Sequence, residues 1–591
     1  MSALRDGARR FLEWRHATWL VLLAALVVAL PSIQLGFYND DHALRAAVDG
    51  TWPEGPPFWD LYRFASGGAE ENRLAVESGS LPWWSAPGLK LHLVRPLTSV
   101  LFTFEHRLLG DAPLGYHLHS IAWYLALVAT VGFVLRGALP RATAQLATLV
   151  YALSAAHFFP YAWVSCRHML LSALPALLGF ASFVRDPSPE RRRGRWLLAL
   201  GLAIGLGAGE GALGAAGFPI AYVLCRKDPA ERRSLVARVR ARLPSIAPTL
   251  ALLAAYIVIY ARVGGGAAQS GGYVDPLGNP GRFAAKAATM LPVLLANAFA
   301  GVPAEAVTIA PPAPIMITGV IVTALIAWLA RSLAPSMSAE ERAAIPWLVL
   351  GAVFALVPSL GGFPGARVLL VPDLGFSALL AILIRRGFAA GGLARGAFAA
   401  LLALVHLVGG PLVSLGVGAV NTRAARDLER IAAAAETGAA RPRVFVLGVS
   451  DPTVTMYVPA VLAANAPDRI ACWSVLSGAK QAHRITRTSA AELHLRPARG
   501  TMLQGLFETL YRASDLPVRV GEEARQCGAT FRVVAVDDGR PTEVAIQFDA
   551  PLDDPRIRLL QWREGNLRAL APPPVGESLD VAWEAGPLGS F

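Results

Sequence analysis

The chain has 591 residues, of which 54% are hydrophobic and only 16% charged, against about 25% charged in an ordinary soluble domain. With a mean hydropathy of +0.45, it holds more apolar surface than a soluble core can hide; this excludes bulk disorder and places most of the chain in lipid. The net charge is +12, but the arginines cluster between apolar runs as the positive-inside rule expects, so no nucleic-acid partner is implied.

In chain order, residues 18–35 form an apolar run behind Arg5, Arg9, Arg10 and Arg15. No small-residue cleavage site follows it, so it reads as an uncleaved first span with a cytoplasmic N-terminus. Residues 36–113 are rich in Trp, Pro and Gly and carry ten acidic against six basic residues, which assigns them to the outer side. Residues 115–135 return to the cytoplasm at Arg136 and Arg141. Basic flanks at both ends make 143–184 a hairpin with 157–168 at its outer tip. The same parity makes 196–225 a second hairpin of short, glycine-broken helices, with Glu210 near the turn. Residues 245–263 go out. Residues 283–302 are expected to be interfacial or re-entrant, since a full crossing would reverse every later loop. Residues 314–330, 345–361, 368–384 and 396–417 complete about eleven spans, leaving the C-terminus outside.

From Pro442 the character changes. Runs at 444–449, 531–536 and 544–548 alternate as strands, and 456–464 and 503–512 read as helices. The expected fold class is therefore an all-α polytopic membrane protein with a C-terminal soluble α/β domain, divided as 1–440 and 441–591. Fifty of the 54 basic residues are Arg and four are Lys, a GC-rich bacterial signature, so the expected location is a bacterial inner membrane with a periplasmic C-terminal domain. There are four cysteines and no C-x-x-C or Cys/His metal spacing. Cys472 and Cys527 either pair in an oxidising compartment or are buried free thiols. Ser450, Asp451, His483 and His494 form no recognisable constellation.

The sharpest chemical feature is Gly36-Phe-Tyr-Asn-Asp40-Asp41-His42, just past the first span. Two carboxylates and an imidazole at a membrane mouth cost desolvation energy unless used or paired. They can act as a general base, hold a divalent cation through oxygen, or cap the helix that follows. Arg95-Pro-Leu-Thr98 precedes the second span. Its arginine suits a phosphate, or anchors the chain at the interface. His117 and His119 stand at the outer end of that span, Arg167 and His168 at the hairpin tip, Glu210 among apolar neighbours, and Arg367 in a later outer loop. Their shared sidedness makes them a set.

The order of these motifs resembles the membrane part of the TMTC-type O-mannosyltransferases, within the GT-C superfamily of multi-span glycosyltransferases. It comprises the Asp pair, Arg95-Pro-Leu-Thr98, Gly115-Tyr-His117, Tyr151-Ala-Leu-Ser-Ala-Ala-His157 with Trp163-Val-Ser-Cys-Arg167, the Glu210 hairpin, and Arg367-Val-Leu-Leu-Val-Pro-Asp-Leu-Gly-Phe376. The likeness spans about residues 36–385. It implies a polyprenyl-phosphate sugar donor, with mannose one candidate sugar, used on the non-cytoplasmic face with inversion. The acceptor would be a lipid, glycan or protein hydroxyl, and membrane lipids would surround the spans. Asp40 or Asp41 would be the base; Arg95, Arg167 and Arg367 would face the donor phosphate; His42, His117, His168 and Glu210 would complete the substrate site. No cofactor is required, although the Asp pair leaves room for a cation. Gly209, Ala366 and Ser120 stand where the family pattern has Lys, Glu and Asn, and the tetratricopeptide repeats are replaced by the α/β domain. Two other classes fit parts of the pattern. A transporter or lipid flippase fits many spans with scattered charge, though no inverted repeat is visible. A non-catalytic anchor would present the C-terminal domain to a partner.

Overall fold

The computed structural model describes residues 13–14, 16–186, 192–226, 234–438 and 441–587. Arg5, Arg9, Arg10 and Arg15, and parts of the basic loops at 185–195 and 226–242, lie outside the described residues. The chain divides into two compact units. The first comprises Met1–Gly36, Val94–Val263 and Gly281–Val420; the second comprises Phe37–Leu93, Gly264–Pro280 and Asn421–Phe591. The segments 37–93 and 264–280 and residues 421–440 thus group with the C-terminal residues in the second unit.

The first unit is helical. Among the described residues, eight helices are long and apolar enough to cross a membrane: Ala17–Gln34, Pro113–Arg136, Val164–Arg185, Val236–Arg262, Pro280–Ala300, Pro312–Ser336, Ala339–Ser359 and Leu393–Ala434. The pair Arg141–Ala152 and Ala155–Ala162, bent by 51°, makes a ninth if counted as one span. The expected eleven is thus corrected downward, for two physical reasons. The hairpin at 196–225 is a helix Arg192–Ala208 followed by the short helices Gly211–Ala215 and Gly217–Cys225, too short to count as two full crossings. The helix Asp373–Ala389 has only 17 residues, about 25 Å at 1.5 Å per residue. Conversely, the segment expected to be interfacial forms the 21-residue helix Pro280–Ala300, long enough to span.

Small residues let these helices approach closely, as membrane helices require where lipid supplies no hydrophobic drive. A side chain at Gly205 would stand 2.5 Å from the Ser172 carbonyl oxygen, so the helix Arg192–Ala208 can lie against Val164–Arg185 only with glycine there. The helix Asp373–Ala389 is the centre of the unit; Leu374, Phe376, Ala378, Leu380, Ala381, Ile382 and Leu383 are all buried.

The second unit is built on three sheets. The first joins β1 (Arg63–Ser66), β2 (Lys90–His92) and β3 (Gly266–Ala268), all antiparallel. The second orders β4 (Arg443–Leu447), β5 (Cys472–Val475), β11 (Ile557–Arg563) and β12 (Asn566–Ala569) as β12-β11-β4-β5, with β4 parallel to both β11 and β5. The third is antiparallel, β13-β6-β7-β10-β9-β8, formed by β6 (His483–Ser489), β7 (Glu492–Pro497), β8 (Glu523–Gln526), β9 (Ala529–Asp537), β10 (Arg540–Phe548) and β13 (Ser578–Val581). The strand and helix expectations at 444–449, 456–464, 503–512, 531–536 and 544–548 all fall on elements of this unit. The segment 37–93 supplies part of its core. Trp83 stacks on Phe531 at 5.2 Å and donates to the Leu476 carbonyl, while Trp84 donates to the Glu508 carbonyl. Cys472 and Cys527 form a disulfide with Cα atoms 5.6 Å apart, which resolves the open alternative in favour of pairing. Gly79, at φ +85°, packs over it; a side chain there would meet the Trp473 carbonyl at 2.6 Å.

Candidate functional site

In the second unit, Asp40 and Asp41 open the helix Asp40–Asp49, which packs on the helix Val458–Asn465. The preceding Asn39 has φ 49°, the sharp entry that sets both carboxylates at the helix N-terminus, where the helix dipole favours negative charge. The two residues differ in environment. Asp41 is fully buried and accepts from the Tyr38 N–H at 3.0 Å, so its carboxylate holds the turn together. Asp40 is half-buried, and the Tyr457 side chain hydrogen-bonds to it. Burial pushes the Tyr38 hydroxyl up to about 12, with the charges of Asp40, Asp451 and Asp41 adding to it. Burial first, then Asp40, also raises Tyr457 and Tyr511. Asp40 is thus ringed by hydroxyls that stay protonated. His42 is buried beside Arg45, whose Nη1 lies 3.4 Å from its Nδ1. Burial and then the Arg45 charge hold His42 down at about 3, so it is neutral at ordinary pH and packs rather than titrates.

In the first unit, Arg95 precedes Pro96, the first residue of the helix Pro96–Leu109, the position where proline loses nothing. The Thr98 hydroxyl donates to the Ala208 carbonyl at 2.6 Å, tying this turn to the break at 209–210. Arg95 then meets Glu210 through two parallel bonds, Nε to Oε2 at 2.9 Å and Nη2 to Oε1, the bidentate geometry that arginine favours with carboxylates. His168 stands beside Gly209 and within electrostatic reach of Arg95, Glu210 and Arg367. A side chain at Gly209 would lie 3.2 Å from His168 Nδ1. Arg367 is half-buried, 6.0 Å from the Trp163 ring centroid, and makes no ion pair among the described residues.

Four expected residues, Arg95, His168, Glu210 and Arg367, therefore come together from four separate segments. Two others are engaged elsewhere. Arg167 is 2% exposed and pairs with Glu105, which also takes His119, and its Nη1 donates to the Tyr116 carbonyl at 3.2 Å. His117 Nε2 is 2.9 Å from the Gly36 carbonyl oxygen. Both brace the N-terminal end of the helix Pro113–Arg136. Tyr457 and Tyr511 lie more than 400 residues from Asp40 in the sequence, and no local signal could have linked them. Glu105, the partner of Arg167, sits on the helix Pro96–Leu109 that Arg95 precedes, and in the sequence it is one acid among ten.

Among the described residues no three His, Cys, Asp or Glu side chains are grouped to hold a metal ion.

No family model matches the chain, and no curated protein matches it. Among solved structures, the archaeal oligosaccharyltransferase AglB from Archaeoglobus fulgidus, in complex with an inhibitory peptide and a dolichol-phosphate, is similar at 11% identity and a TM-score of 0.40, over 78% of this chain and 65% of that one. The apo form of the Archaeoglobus fulgidus oligosaccharyltransferase aligns at 11% identity and a TM-score of 0.39 over the same shares. The arabinofuranosyltransferase AftD from Mycobacteria aligns at 15% identity and a TM-score of 0.38, over 92% of this chain and 40% of that one. The chain thus spans less than two thirds of the length of these structures.

Proposed function

We propose that this multi-pass membrane protein is a glycosyltransferase of the GT-C type. It would transfer a sugar from a polyprenyl-phosphate donor to a hydroxyl acceptor on the non-cytoplasmic face of a bacterial inner membrane. The observation that carries the reading is the convergence of Arg95, Glu210, His168 and Arg367 within a unit of apolar spans. Buried charge among lipid-facing helices is costly and is kept for function. A departing phosphate needs positive charge where its negative charge develops. Arg95 and Arg167 are already balanced by Glu210 and Glu105, so Arg367 is the cation with most to offer a phosphate. Glu210 orients Arg95 beside it.

Asp40 is the base of choice. Its carboxylate would take the proton of the acceptor hydroxyl as that oxygen attacks the anomeric carbon and the lipid phosphate leaves. Attack from the face opposite the phosphate inverts the centre. The reading follows from Asp40 and Asp41 playing different parts, one ringed by hydroxyls and one holding the turn. The disulfide agrees with an oxidising, non-cytoplasmic setting for the second unit. The test is binding of polyprenyl phosphate to the purified protein in lipid nanodiscs. Wild type should bind it, and Arg367→Ala should weaken binding at least tenfold with folding intact. Equal binding by both would remove Arg367 from the site.

A further inference from the structure

The first unit holds a cavity of about 280 Å3 bounded by the segments 150–159, 297–305, 366–380 and 405–417, just below the lower end of the roughly 300–1,000 Å3 typical of ligand sites. Three irregularities of helical backbone meet there. These are the bend between Arg141–Ala152 and Ala155–Ala162, the π-helical turn Leu404–Gly409, and the end of the helix at Ala300. Irregular backbone among membrane helices is tolerated where it is buried or lines a cavity, and π-turns gather at functional sites.

The polar lining is specific. Asp373 Oδ2 accepts from the Ser154 hydroxyl at 3.0 Å, and His157 Nε2 lies 3.1 Å from the same oxygen without hydrogen-bonding geometry. Glu305 Oε1 accepts from the Ala366 N–H at 2.7 Å, and the Asn297 amide donates to the Val302 carbonyl at 2.7 Å. Asp373 and Glu305 each leave a second carboxylate oxygen for a ligand, and Asn297 leaves its amide oxygen. Ser377 is 2% exposed, and its hydroxyl has no partner among the described residues; a buried hydroxyl in that state is costly and calls for an explanation. Among the described residues no lysine or arginine lines the cavity. Two carboxylates with no lysine or arginine beside them disfavour a phosphate, and the mixture of carboxylate, amide and hydroxyl oxygens with the His406 imidazole matches groups that both donate and accept.

We propose that this cavity binds a single neutral, hydroxyl-rich ring, that is, one sugar residue, read by Glu305, Asp373, Asn297 and Ser377. The inference rests on the glycosyltransfer reading above. Ala366 lines the cavity and precedes Arg367, so a phosphate at Arg367 and a ring in the cavity are served by one short segment, Ala366–Leu370. The ring belongs either to the donor or to a glycan acceptor, and the chemistry is the same for both.

The test uses the full chain in nanodiscs, with polyprenyl-phosphate mannose, polyprenyl-phosphate glucose, sugar-free polyprenyl phosphate and the matching methyl glycosides as probes. The variants are Ser377→Ala and Glu305→Gln, the latter keeping the oxygen that Ala366 needs, with Arg367→Ala alongside. Each cavity variant should weaken a sugar-bearing lipid roughly five- to tenfold and leave the sugar-free lipid within about twofold. Methyl glycoside binding lost in the same variants, with both lipids unaffected, would place an acceptor ring in the cavity and also uphold the inference. Equal loss for all probes, or no loss for any, overturns it. Arg367→Ala separates the two readings: it should weaken both lipids alike, and if it weakens neither, the phosphate assignment fails independently of the cavity. Unchanged thermal unfolding of Glu305→Gln confirms that the comparison is made on folded protein.

Discussion

The ion pair between Arg95 and Glu210 sets a quantitative test. The Arg95 side chain is 7% exposed and that of Glu210 33% exposed. Removing one partner of a fully buried pair costs about 3–5 kcal/mol, because it strands a charge in a poor solvent. Water reaches Glu210 for a third of its surface, so the expected cost of Glu210→Met or Arg95→Met is lower, about 2 kcal/mol each. Replacing both by methionine strands nothing and should cost about 1 kcal/mol, since buried pairs are often matched by apolar residues of similar volume. The double-mutant cycle then gives a coupling of about 3 kcal/mol. The assay is reversible unfolding in mixed micelles, followed by intrinsic tryptophan fluorescence, with phosphate-lipid binding measured on the same samples. The double variant should be nearly as stable as wild type and yet bind polyprenyl phosphate poorly. Additive losses in the double variant would show that the pair is not closed and would refute its role in holding Arg95.

Three further outcomes follow from the second unit. His42 is held at about 3 and His483 at about 4, both chiefly by burial, whereas a free histidine titrates near 6.5. On acidification the unfolded chain takes up protons that the folded unit refuses. Their contribution is therefore complete above pH 6.5 and is lost as pH falls below it, by about 1.4 kcal/mol per pH unit for each group. Unfolding between pH 7.5 and 5 should show this slope, and His42→Gln should reduce it. Asp41→Ala removes the acceptor of the Tyr38 N–H and should lower stability by about 1 kcal/mol, whereas Asp40→Asn should leave the unfolding midpoint unchanged; a reversed pattern would exchange their roles. Breaking the disulfide, which closes a loop of 55 residues, by Cys472→Ser with Cys527→Ser should destabilise the unit by up to about 4 kcal/mol, read from its unfolding with and without reductant.

Much of the helical unit was legible because its signals are local. Apolar runs, arginine flanks and the proline after Arg95 each act within a few residues. The glycines around Glu210 announced the broken hairpin for the same reason. The second unit was not legible as a unit, since its cohesion comes from pairs distant in sequence. Lys90–His92 pairs with Gly266–Ala268, and Trp83 and Trp84, which look like loop aromatics, fill a core closed by Phe531 and Phe507. Charge parity and helix length point in different directions at 283–302: parity calls for an interfacial or re-entrant segment, while the helix Pro280–Ala300 is long and apolar enough to span. In the sequence Arg167 is equivalent to Arg95 and Arg367; Glu105, 62 residues away, balances it in the fold. The cavity left no trace in the sequence, because it arises where three ordinary-looking helices depart from regular geometry.

The most direct test of the central claim is a transfer assay with the purified protein in lipid, using labelled polyprenyl-phosphate sugars and a membrane extract as the source of acceptors. Wild type should move label to an acceptor, and Asp40→Asn should fail to do so while unfolding at the same midpoint. Full transfer by Asp40→Asn would contradict the base assignment, and no transfer or donor hydrolysis by wild type with any sugar would contradict the enzyme itself.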